Sequence, residues 1–144
     1  MTGNALPSSD HIARYCGGSQ IDEDGQIAPT AFHLRQDQDE EYLSVHWLEI
    51  LNKSDRISEI SAVRDMMGKK LRLGKTAKIA ILNVGEALDY VEYKSCFSIR
   101  ILHEPNHDYL SHSGIYDTKQ DEDLISELLA EKVLETHPAL VHNP

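Results

Sequence analysis

The chain has 144 residues, 40% of them hydrophobic and 6% aromatic, with a formal net charge of −10. That length suits one domain with a real core, and that apolar content excludes global disorder. The longest apolar run, Ile79 to Leu82, falls far short of the roughly 20 residues that cross a bilayer.

From the N-terminus, MTGNALPSSD lacks the basic and apolar regions of a secretory signal, and Gly3, Asn4 and Pro7 mark residues 1–9 as a flexible arm. HIARYC reads as a strand or a helical turn, ended by GGS. In IDEDGQIAPTAFHL, Asp24-Gly25 predicts a turn between two short extended runs, with Pro29 making the second an edge or interrupted strand. The acid-rich RQDQDEE is a solvated loop. In YLSVHWLEIL, Leu43, Val45 and Trp47 alternate with Ser44 and His46, which predicts a half-buried strand giving way to a helical turn.

A helix fits SDRISEISAVRDMMGKK, where Ile57, Ile60, Val63, Met66 and Met67 recur at three- and four-residue steps. Ser54 or Asp55 can cap its start, and Gly68 with Lys69 and Lys70 suits its end. AKIAILNV is a buried strand, GEALDYVEY a short helix, and CFSIRIL another strand leading into a histidine-rich loop, HEPNHDYLSHSGIY. DEDLISELLAEKVLETHP has an acidic first turn, a broad apolar face and Pro138 beyond its end, as a helix would. These elements predict a compact α+β domain over residues 10–144, with about four to five strands in a mixed or antiparallel sheet and about three helices.

Charge is segregated. Between Lys53 and Lys78 lie eight basic residues against three acidic ones, while the remainder holds six against twenty-one. Within that band Lys69, Lys70, Arg72 and Lys75 form a candidate surface for an acidic partner, or a solvated helix end and turn. The band has no interleaved aromatics and the whole chain is acidic, which argues against nucleic acid. GKKLRLGKT imitates the end of a P-loop, but Lys69 stands where the first glycine belongs and a strand follows, so nucleotide hydrolysis there is rejected.

The histidine loop offers His103 and His107 at H-x-x-x-H spacing, yet Pro105 denies them a shared helical face. No metal and no cofactor is therefore expected. His112, between Ser111 and Ser113 and beside Gly114, is the best single candidate there, against the reading of a plain turn. DHIARYC supplies a second set: His11 as acid or base, Arg14 as anion clamp, Tyr15 in orientation, and Cys16 as a potential nucleophile or an inert core thiol. The two cysteines, Cys16 and Cys96, are too few for a disulfide scaffold, so a reducing cytoplasm is the expected setting.

The segments DHIARYC, AFHLR with DEEYLSVHWLE, AILNVG and SHSGIY together resemble a group of small bacterial proteins to which no activity is attached. The resemblance spans Asp10 to about Tyr116 and implies a compact bacterial cytoplasmic domain. Two functions are consistent with these residues. One is a small accessory or regulatory domain that binds a protein partner. The other is a hydrolase or transferase acting on a phosphate- or carboxylate-bearing substrate through His11, Arg14, Tyr15 and His112. Convergence of DHIARYC and SHSGIY on one pocket would favour the second.

Overall fold

In the computed structural model, which describes residues 3–35 and 40–140, the strands belong to a single antiparallel sheet. They are β1 (Asn4–Ala5), β2 (His11–Cys16), β3 (Leu43–Trp47), β4 (Lys78–Asn83), β5 (Arg100–His103), β6 (His112–Tyr116) and β7 (Glu135–Pro138). Their order across the sheet is β1-β5-β6-β3-β2-β4-β7. Among the described residues three α-helices complete the α+β domain: α1 (Arg56–Lys70), α2 (Val84–Ser95) and α3 (Glu122–Glu131).

The helices divide the core in two. On one face, α2 and α3, with the short 3-10 turn Pro29–Phe32, cover Ile12, Leu43, Val45, Ala80, Leu82, Ile101 and Ile115. On the other, Ile60, Val63 and Met67 of α1 pack on Ala13, Ile79 and Ile81. Successive strand residues point to opposite faces, so β4 is buried on both, which is why Ile79 to Leu82 reads as an unbroken apolar run. Among the described residues no helix is long and apolar enough to cross a membrane.

Local chemistry sets the helix ends. Asp55 caps α1 by accepting from the Ser58 backbone N–H at 2.8 Å, and that bond holds its carboxyl below the ordinary value. Asn83 and Asp121 cap α2 and α3 in the same way, at Glu86 and Leu124. The helix runs through Gly68, and Leu71 closes it by donating to the Met67 carbonyl. Of the five apolar positions expected on its inner face, Ile57 is 77% exposed, one step outside the buried stripe.

Three strands were not expected, so the sheet has seven rather than about four to five. Asn4–Ala5, inside the supposed arm, pairs with Leu102 and His103 of β5. The segment expected to extend the last helix instead turns after Glu131 and pairs with Lys78–Ile81 of β4. An outer β4 edge would leave backbone donors and acceptors without partners, and this pairing overrides the helical periodicity. Pro138 is thus the last residue of an edge strand.

The third is β6, where Ser-His-Ser-Gly looked like a turn. It pairs on both sides, with β5 and with β3. Gly114 is there for space: a Cβ at that position would stand 2.2 Å from Tyr42 Cδ1 and 2.7 Å from its Cγ. Propensity alone would make Gly114→Ala a gain, but this overlap reverses the sign. A loss of about 1–3 kcal/mol is expected in urea denaturation. No loss would mean that the Tyr42 ring does not lie on β6.

The predicted turn at Asp24-Gly25 forms, with Gly25 at φ 80° and the Asp22 N–H donating to the Gln26 carbonyl. Ile21 and Ile27 make an isolated bridge, after which Pro29 opens the 3-10 turn rather than continuing a strand. The core of the acidic loop expected at RQDQDEE, residues 36–39, lies outside the described residues.

Candidate functional site

Neighbouring strands β2, β3 and β6 place Ala13, His46 and His112 in one row, because Ala13 pairs with His46 and His46 with His112. Paired residues project to the same face. Helix α1 covers Ala13, and at the edge of that cover, beside His46, a cleft of about 320 Å³ opens.

Arg14 is half-buried in the cleft. Its Nε donates to the Ala31 carbonyl at 2.6 Å and its Nη1 to the Ser44 carbonyl at 2.7 Å. Its guanidinium carbon lies 6.0 Å from the centre of the Phe32 ring. Burial lowers its pKa, but a guanidinium stays charged at any physiological pH. Tyr15 also lines the cleft, and its hydroxyl accepts from the Gly74 N–H at 3.2 Å. That bond fastens the loop after α1 to β2.

His46 contributes the third side chain. Its Nδ1 is 2.8 Å from Ser111 Oγ, and its ring meets the Tyr109 ring edge-on at 5.8 Å. Burial, then His112 and Lys70, push its pKa down to about 4, so the imidazole is neutral at pH 7. Sequence reasoning did not select His46. The signal was present in LSVHW, whose polar alternates Ser44 and His46 both line this cleft.

The other expected residues stand elsewhere. His11, at the start of β2, donates its backbone N–H to Glu49 Oε1 at 2.7 Å and holds Nδ1 2.7 Å from Glu49 Oε2. It lines a separate open hollow with Ser8, Ser9 and Asn83. His112 is a strand residue rather than a loop residue, with Nδ1 2.8 Å from the Glu104 carbonyl oxygen. Its ring centre is 6.4 Å from that of His46, yet it does not line the cleft. So Arg14 and Tyr15 come together, His112 lies one ring away, and His11 does not join them.

Cys16 is fully buried, and burial raises its pKa to about 11, which keeps it a thiol and removes it as a nucleophile. Among the described residues, no three His, Cys, Asp or Glu side chains are grouped to hold a metal ion. His103 instead meets the Leu110 carbonyl through Nε2 at 2.7 Å.

Of the basic residues, Lys69, Arg72 and Lys75 are exposed at the end of α1 and in the loop that Tyr15 fastens. Lys70 is partly committed, with Nζ 3.1 Å from Asp108 and 5.0 Å from the centre of the Tyr109 ring. Leu71, from the same segment, lines the cleft. No family model, curated protein or solved structure matches the chain.

Proposed function

We propose that this domain is a non-catalytic accessory or regulatory module that binds an acidic protein partner across the Arg14 cleft and its basic rim. One observation carries the reading: the Tyr15–Gly74 bond fastens the Lys69–Lys75 segment beside a cleft that already contains a charged guanidinium. In a chain of net charge −10, such a local reversal of sign steers an acidic surface towards one place. Lys69, Arg72 and Lys75 make the rim, and Lys70 supports it through Asp108 and Tyr109.

The hydrolase or transferase reading needs His11, Arg14, Tyr15 and His112 around one substrate. That His11 is held by Glu49 in another hollow, with His112 outside the cleft, supports the binding reading over this one. A cytoplasmic setting belongs to the same proposal, and the two free thiols agree with it.

The test is the triple variant Lys69→Glu, Arg72→Glu, Lys75→Glu against a panel of fluorescein-labelled acidic peptides with neutral controls. Surface substitutions usually cost under about 0.5 kcal/mol each, so the variant should stay folded. It should bind the acidic peptides about tenfold more weakly at low salt, a difference that shrinks as salt is added. Equal affinity of the folded variant and the native protein at low salt would refute the role of the rim.

A further inference from the structure

We propose that the Arg14 cleft is a receptor for a single carboxylate group, held end-on by the Arg14 guanidinium. The carboxylate is carried either by a small organic acid or by an acidic side chain or C-terminus of a bound peptide. This names the ligand chemistry of the cleft and rests on the binding reading above only for its location.

The guanidinium is oriented before any ligand arrives. Both bonds that fix it go to uncharged carbonyl oxygens of Ala31 and Ser44, so they set its plane without cancelling its charge. They use Nε and one Nη1 hydrogen, and of five guanidinium hydrogens the other three have no partner among the described residues. The end formed by Nη1 and Nη2 has the spacing of two carboxylate oxygens, which makes the contact bidentate. A lysine would supply charge without that fork.

Among the described residues, Arg14 and Arg35 line the cleft against one carboxylate, Glu40, and Glu40 lies 3.6 Å from Arg35 Nε. His46 is neutral at pH 7, so it adds a hydrogen-bonding ring rather than a further charge. The C-terminal end of α1, with Met67 and Leu71, also borders the cleft, and its dipole presents partial negative charge. Among the described lining residues this leaves one net positive charge, enough for one carboxylate; with the basic rim close by, an apolar lining is what favours an organic acid over phosphate.

Size and lining agree. A volume of about 320 Å³ is at the low end for ligand pockets, which run from roughly 300 to 1,000 Å³. Tyr15, Met67 and Leu71 supply apolar lining for a short hydrocarbon body, while Gln20 and His33 add polar groups.

The experiment is a titration of the full chain, followed by calorimetry and amide NMR. The probes are butyrate and benzoate, their amides butyramide and benzamide, inorganic phosphate, and acidic peptides with free or amidated C-termini. The acids should bind saturably and shift the Ser44 and His46 amides, the matched amides should not, and phosphate should bind more weakly than the acids. Arg14→Gln should weaken binding by at least about tenfold, the usual scale for losing a bond to a charged group. Because Arg14 also braces Ala31 and Ser44, the exposed Arg35→Gln and the occluding Leu71→Trp are the companion variants, and each should weaken binding in a protein that melts normally.

Tight binding of butyrate or benzoate assigns the site to a free organic acid. Binding only of peptides, lost when their carboxylates are amidated, assigns it to a partner's acidic group. No saturable binding by any carboxylate, equal binding of acids and amides, or a preference for phosphate would overturn the proposal. If the rim reversal abolishes peptide binding while butyrate still binds, the two readings stand separately. If peptides bind the rim with no dependence on Arg35 or Leu71, the cleft inference falls and the rim survives.

Discussion

Val63→Asp is expected to lower the unfolding free energy by about 3–5 kcal/mol, enough to unfold a domain of ordinary stability. Val63 has no exposed surface and sits in the smaller of the two cores, with Ile60, Met67, Ile79, Ile81 and Leu48 around it. A carboxylate there loses its water and meets only apolar groups. The nearby arginines are committed elsewhere: Arg56 to Glu59 and Glu135, and Arg64 through Nε to the Pro138 carbonyl. Ile57→Asp is the internal control. It places the same charge on the same helix at a residue 77% exposed, and should change stability by under about 0.5 kcal/mol. Chemical denaturation of both variants checks the phase of α1. A Val63→Asp protein as stable as the native one would mean that α1 does not cover the sheet.

The second large effect is a loss of stability in mild acid traceable to His46. Its pKa falls from the usual 6.5 to about 4 on folding, because burial and the neighbouring His112 and Lys70 oppose the charged ring. Above about pH 7.5 the ring is neutral in both states and contributes almost nothing to the pH dependence. As pH drops from 6.5 towards 4, the unfolded chain takes up a proton that the folded chain refuses, so stability falls. At pH 5 this amounts to about 2 kcal/mol. The check is urea denaturation of the native protein and His46→Gln at pH 7 and pH 5. Other groups titrate equally in both proteins, so the native protein should lose about 2 kcal/mol more than the variant between the two pH values. Equal losses would remove His46 from the account.

How much of this the sequence contained depends on which force decided each element. The α1 helix and β4 were readable because burial writes itself into spacing. Ile60, Val63 and Met67 keep the helical period, and Ile79 to Leu82 form an apolar run bounded by loops. Strand β6 was not readable, since its middle is Ser113 and Gly114. Both are buried, the glycine because Tyr42 occupies the space a side chain would need. Strand β7 was hidden behind a helical pattern that its pairing with β4 overrides.

The site divides in the same way. Arg14 and Tyr15 could be named from their chemistry, and they do share a cleft. His46 was passed over because period two marked it only as the polar alternate of a strand. His11 and His112 were grouped with Arg14 by residue type, which carries no distance information. Glu49, the partner that fixes His11, is 38 positions away in the chain.

The sheet also has a consequence for how the chain can be cut and joined. Its two outermost strands, β1 and β7, come from opposite ends of the described chain and lie on opposite margins. Six strand spacings of about 4.8 Å separate them by roughly 29 Å. A circular permutant would therefore need a connector of about nine or more extended residues to bridge that width. Each margin is also a guard. Strand β1 shields β5 with only two residues, and β7 closes the β4 edge, where Ile79 and Ile81 are fully buried. Trimming residues 135–144 would bare the most apolar strand of the molecule to a neighbour's backbone. The first symptom of such a truncation would be self-association along β4, ahead of any loss at the Arg14 cleft.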